Sequence, residues 1–184
     1  MATTPKTRPL RRPKVGEVMP VYGTGGEAAS GAWLRSLRAR ERATVQRALA
    51  ILGAVLADGR EVFDSADIVK AYLRLHLGGE PAEHFAVVFL DSQHRAIAFE
   101  RMFTGTLTQT SVYPREIVLA ALRHNAAAVV LAHNHPSGNV KPSRADEALT
   151  QTLKQTLALV DVRVLDHVIV SGTQALSMAE AGLI

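Results

Sequence analysis

Two histidines one residue apart, His133 and His135, stand at the end of an apolar run, and Asp146 follows the second by eleven residues. In an extended segment residues i and i+2 share a face, so His133-Asn134-His135 can offer two imidazole nitrogens to one cation. Pro136-Ser137-Gly138 breaks the strand and turns the chain back. Asp146 then falls in what reads as the first turn of a helix. Two imidazoles and one carboxylate are a common ligand set for a catalytic zinc that keeps a fourth position open for water. Taken singly, each residue has a structural explanation. Ser143 and Asp146 fit a capping box, a lone histidine is more often a hydrogen-bonded surface or core residue, and Pro-Ser-Gly is a turn. The conjunction is what points to a metal: His-x-His, seven residues, Ser, two residues, Asp.

Several elements must position these residues. A central strand over 126–132 leads into His133, and a helix over 143–159 carries Asp146. Residues 84–90 form a nearly continuous apolar run, as expected of a strand buried on both faces. Asp91-Ser92-Gln93-His94 reads as a turn into a strand over 96–103, and 106–111 as a further short strand. Pro114-Arg115-Glu116 opens a helix that ends near His124-Asn125, since Pro suits a first turn and Glu116 the positive end of the dipole. Strands over 162–170 and 174–176 and a helical turn at 178–181 close the chain. Upstream, the apolar spacing predicts one helix over 32–57, with Arg35, Arg38, Arg40, Arg42 and Arg47 on its exposed face. A second helix begins at an Asp64 or Ser65 cap and runs to Leu77, ended by Gly78-Gly79. Hairpins together with crossover helices imply an α/β fold with a mixed sheet flanked by helices. The expected organisation is a basic tail and linker over 1–31, a helical segment over 32–61 and a metal-binding domain over 62–184.

The 184 residues are 47% apolar, enough for a core. With no cysteine, disulfides and thiolate metal sites are excluded, leaving histidine and carboxylate as the strong ligands. No apolar run approaches the roughly 20 residues that span a bilayer, and no signal-peptide pattern follows the start, so a cytoplasmic location is expected. The net charge of +4 is uneven. Residues 1–60 hold eleven Lys/Arg against four Asp/Glu, whereas 61–184 hold ten against thirteen. A basic N-terminus of this kind can make non-specific phosphate contacts with DNA, or be a solvated tail.

The sequence resembles the JAMM (MPN-type) metalloprotease domains, whose pattern is an upstream Glu, then His-x-His, seven residues and Ser-x-x-Asp. It resembles more closely the bacterial RadC proteins, also called UPF0758. The closer match is carried by Phe89-Leu90-Asp91-Ser92-Gln93-His94-Arg95, Gly105-Thr106, Val112-Tyr113-Pro114-Arg115-Glu116, Ala132-His133-Asn134-His135-Pro136-Ser137-Gly138 and Val164-Leu165-Asp166-His167. It covers about residues 64–184. The resemblance implies a three-layer, cytidine-deaminase-like architecture and a zinc held by His133, His135 and Asp146. It further implies Ser143 as the hydroxyl that stabilises an oxyanion, and Glu83 as general acid and base. Peptide or protein substrates are implied, as is the DNA-repair label that RadC-like proteins carry. The chain departs from JAMM peptidases at Asn134, where those have Ser or Thr. It also has a shorter N-terminal part than full-length RadC proteins, in which a helix-hairpin-helix-like region precedes the domain.

Zinc on two neutral imidazoles and a carboxylate keeps a positive charge and lowers the pKa of a bound water toward about 7. A carboxylate bonded to that water can take its proton during attack and pass it to a leaving amine. Glu83 is the first candidate, Glu100 in the neighbouring strand the second, and Glu116 the third. Asn134 and Asp166 are candidates for orienting the histidines, and His167, in an apolar strand, is expected to be structural. The expectation is a zinc-dependent peptidase or isopeptidase; the rival is a nucleic-acid-associated factor with a structural zinc.

Overall fold

The computed structural model describes residues 32–57, 66–105 and 111–184, with side chains described for 34–51 of the first segment. The expected cap at Asp64 or Ser65 and most of the expected strand over 106–111 lie outside the described residues. The elements run α1 (Ala32–Ser36), α2 (Ala39–Ala57), α3 (Ala66–Leu77), β1 (His84–Leu90), β2 (Ala96–Thr104), α4 (Pro114–Arg123), β3 (Ala128–Asn134), α5 (Arg144–Ala158), β4 (Arg163–Val170) and β5 (Ala175–Ser177). The five strands form one mixed sheet in the order β2-β1-β3-β4-β5, in which only β3 and β4 are parallel.

β1 and β3 occupy the middle of the sheet and are buried at every position, which is why both read as continuous apolar runs rather than alternating ones. Their alternate residues feed two cores. Phe85, Val87, Phe89, Val129 and Leu131 pack beneath α4 and α5 with Ile117, Leu153 and Leu157. Ala86, Val88, Leu90, Ala128, Val130 and Ala132 pack beneath α3 with Val69, Leu73 and Leu77. The result is three layers, helix–sheet–helix, as the family resemblance implied. Gly78 lets the end of α3 meet the β4–β5 turn, because a Cβ there would lie 2.6 Å from the Ser171 carbonyl oxygen. No described helix is long and apolar enough to cross a membrane.

Two expectations are corrected. The single helix over 32–57 is broken at Leu37-Arg38. Arg42 Nη2 caps the freed carbonyls of Arg35 and Leu37, and the Glu41 carboxylate accepts the Arg38 N–H at the start of α2. Side-chain caps of both signs thus stabilise two ends where periodicity showed none. β3 begins at Ala128, two residues later than expected, because Asn125 takes a positive φ of 51° and the Ala126 N–H bonds back to Ala121 O. That left-handed helix ending consumes Ala126, and at its far end β3 runs on through His133 to Asn134. The expected helical turn at 178–181 is present, with the Ala181 N–H on Ser177 O at 3.1 Å.

Candidate metal centre

His133 sits near the end of β3 on the α5 face, since its register partner on β1 is Phe85. His135 lies just beyond the strand, its N–H bonded to Val170 O of β4. The turn that follows closes with Gly138 N–H on His135 O, and Gly138 takes a φ of 87° that a side chain would resist. α5 then starts over the same end of the sheet. Ser143 is its N-cap and accepts the Asp146 N–H at 3.1 Å, while Asp146 Oδ2 accepts the Ser143 N–H at 2.7 Å. This capping box fixes the Asp146 carboxylate where the helix dipole favours negative charge. Asp146 Oδ1 thereby stands 3.3 Å from His133 Nε2, and His133 Nε2 stands 2.8 Å from His135 Nε2. The three ligand atoms lie within 4.8 Å of one another. Among the described residues, no other group of three His, Cys, Asp or Glu side chains converges in this way.

Hydrogen bonding settles which nitrogen of each ring faces this cluster. Thr150 Oγ1 is 2.6 Å from the backbone carbonyl oxygen of Asp146, an acceptor only, so the hydroxyl proton points there. Thr150 Oγ1 therefore accepts from His167 Nδ1–H, also at 2.6 Å. Complete burial holds the His167 pKa well below the ordinary histidine value, so the ring is neutral and carries one proton. Its Nε2 is then an acceptor, and His133 Nδ1–H donates to it at 2.8 Å. His133 Nε2 is left with a bare lone pair. On the other ring, His135 Nδ1 faces the Asn139 carbonyl at 2.7 Å, which places the proton of neutral His135 there and bares its Nε2 as well. Burial also pushes His133 down to about 4, outweighing the Asp146 charge that raises it. The 3.3 Å pair is thus neutral imidazole against carboxylate, not an ion pair. Two lone pairs and a carboxylate converge with no proton between the nitrogens, and a cation fits that arrangement.

The other sequence candidates fall in different places. Glu83 immediately precedes β1, half-buried, and its carbonyl accepts the Gly105 N–H at 2.8 Å. Glu83 lies two residues before Phe85, whose register partner is His133, the last pair of the β1–β3 ladder. Glu100, on β2, is held by Arg123 Nη2 at 2.8 Å and His124 Nε2 at 2.6 Å. Glu116 is exposed in the first turn of α4. Neither joins the cluster. Asn134 and Asp166 do not orient the histidine rings as expected. Asn134 bonds to the backbone of residues 80–84, and Asp166 holds Ser177 Oγ and the Ala179 N–H. Their side chains leave the opposite sides of the pleat from the neighbouring ring, as alternation along a strand requires.

Sequence reasoning missed Thr150 and gave His167 a structural place only. His167 is fully buried, as a structural residue would be, yet it touches His133 directly. Thr150 left a signal: it lies four residues after Asp146 on one helix, and i, i+4 side chains share a face.

A mixed sheet between helical layers, with a two-histidine, one-carboxylate cluster at the end of a central strand, is the arrangement of JAB-type domains. The family model of the RadC-like JAB domain matches residues 63–183, and the chain belongs to that family. Similar relatives include a UPF0758 protein of Variovorax paradoxus, 57% identical over 164 residues, covering 89% of this chain and 69% of the relative. One of Acidovorax sp. strain JS42 is 64% identical over 154 residues (82% and 65%), and one of Acidovorax ebreus is 74% identical over 125 (68% and 52%). The chain thus spans between 52% and 69% of the length of these three relatives.

Proposed function

We propose that this domain is a zinc-dependent hydrolase of peptide or isopeptide bonds, with Glu83 as general acid and base and Ser143 as a donor to the oxyanion. The observation that carries the reading is the convergence of two bare imidazole Nε2 atoms and the Asp146 carboxylate, both tautomers being dictated by the hydrogen bonds behind them. Such a set of borderline nitrogens and one hard oxygen matches zinc's preferences. His133, His135 and Asp146 would hold the zinc, which would supply Lewis acidity and lower the pKa of a bound water toward about 7.

The chain's own residues do the rest. Glu83, two residues before the Phe85–His133 pair that ends the β1–β3 ladder, accepts the proton of the attacking water and delivers it to the leaving amine. Ser143 Oγ accepts the Asp146 N–H, which leaves its O–H for the substrate carbonyl oxygen as negative charge develops there. Glu83→Gln should retain one zinc per chain by elemental analysis and lose about 10²- to 10⁴-fold in turnover of peptide- or isopeptide-linked reporters. Undiminished turnover in that variant would remove Glu83 as the base, and a wild-type chain without stoichiometric zinc would remove the metal.

A second reading is a nucleic-acid-associated factor. It is supported by the excess of Lys/Arg in residues 1–60 and by Arg40 and Arg47, exposed on α2 seven residues apart. Fluorescence anisotropy with duplex DNA should then show affinity that falls steeply with salt, and deleting residues 1–31 should flatten that slope. Salt-independent or absent binding by the intact chain dismisses this reading.

A further inference from the structure

The structure assigns a task to Asn134, the residue between the two histidines: it is a positioning residue that clamps the Glu83-bearing backbone to the ligand-bearing strand. The assignment rests on the reading of Glu83 as the base.

The β1–β3 ladder ends at the Phe85–His133 pair. One step further, β3 turns away toward His135, whose N–H goes to β4 instead. The backbone of residues 80–84 therefore loses its neighbour on that side, at the edge of a buried region where an unpaired amide is costly. The Asn134 side chain takes the neighbour's place. Its Oδ1 accepts the His84 N–H at 2.8 Å, and its Nδ2 donates to Ala82 O at 2.9 Å and Glu80 O at 3.3 Å. Only one orientation of the amide serves these partners, since the flipped group would set N–H against N–H and oxygen against oxygen. Asn134 is 1% exposed, so no water substitutes for these bonds.

The bonded residues bracket Glu83. Ala82 and His84 are held by Asn134, and Glu83 O by the Gly105 N–H on the β2 side. The 80–84 segment is pinned from beyond as well, where Arg101 Nη1 meets Glu80 Oε1 at 2.7 Å and Thr104 Oγ1 meets His84 Nδ1 at 3.1 Å. Because Asn134 is flanked by both imidazole ligands, any movement of the ligand strand carries the base with it. A serine or threonine hydroxyl has one donor and a shorter reach, and cannot make all three bonds.

The test reads the position of Glu83 directly. Protein labelled with ¹³C at glutamate carboxyls is loaded with Co²⁺ or, as diamagnetic reference, Zn²⁺, and the pseudocontact shift of the Glu83 carboxyl is measured, assigned by its absence in Glu83→Gln. Glu100, held by Arg123 and His124, serves as the internal control. In Asn134→Ala the Glu83 shift should fall by about half or more while cobalt stoichiometry and the Glu100 shift are kept, and His84 amide exchange should accelerate by up to about tenfold, as one net hydrogen bond allows. Asn134→Asp keeps the acceptor for His84 and loses both donors, and should fall between. An unchanged Glu83 shift in both variants overturns the proposal, as does loss of cobalt binding in both, which would make Asn134 a support of the ligands instead. A wild-type Glu83 shift no larger than that of Glu100 would instead refute Glu83 as the base.

Discussion

His167 Nε2 lies 2.8 Å from His133 Nδ1, inside a fully buried part of the sheet. This contact decides which nitrogen of His133 is left for a metal, and it is itself decided by Thr150, whose hydroxyl is committed to the Asp146 carbonyl. A single run of hydrogen bonds therefore starts at the backbone of one ligand and ends on the ring of another. Replacing His167 by Leu leaves the His133 Nδ1–H buried without an acceptor. Zinc affinity, measured by competition with a chromophoric chelator, should fall about 10- to 100-fold. An unchanged affinity would mean that packing alone, through the Phe85 ring stacked on His133 at 6.4 Å and 11°, orients the ligand.

Ser143 caps α5, and substitution can separate that role from the proposed donation to an oxyanion. Ser143→Ala removes the N-cap and should cost about 0.5–2 kcal/mol in urea denaturation. Ser143→Asp keeps a capping oxygen but has no proton to donate, so stability should stay near wild type while kcat drops about a hundredfold or more. Equal losses of activity and stability in the two variants would confine Ser143 to the cap.

Four histidines set a pH dependence in the metal-free protein. Burial holds His76 and His133 down to about 4, lowers His84 and keeps His167 well below the ordinary histidine value. In the unfolded chain these rings take up protons near 6.5. Between about pH 6.5 and 4 the unfolded state binds more protons, so stability should decrease as pH falls through that window. Below about 4 His76 and His133 add little further loss. Urea midpoints measured from pH 8 to 4 check this, and a flat profile would show that the rings are hydrated.

Phe85 joins the core to the site. It is 1% exposed, stacks on His133 and meets the edge of His167 at 5.6 Å. Phe85→Ala should destabilise the domain by about 3–5 kcal/mol and weaken zinc binding together with it. Stability lost with zinc affinity intact would place the ring in the core only.

The candidate ligand set was legible in the chain because its members are close in sequence: His133 and His135 share an extended segment, and Asp146 is the third residue of a helix with a readable cap. Buried strands were legible for a similar reason, since β1 is apolar at nearly every position. Glu83 could be proposed only through resemblance, as nothing local marks a carboxylate fifty residues from the ligands as their neighbour.

The sequence by itself determined the ligand types, the turn at Pro136-Ser137-Gly138 and the capping box, all products of short-range geometry. The tertiary structure alone decided what stands behind the ligands. His167 meets His133 because β4 pairs with β3 in one register, placing His167 beside Leu131. Asn134 meets His84 because the β1–β3 ladder stops one step short of them. A shift of one residue in either register would send each side chain to the other face of the sheet. Register is set by the summed burial of both cores, and no local pattern in the chain encodes it.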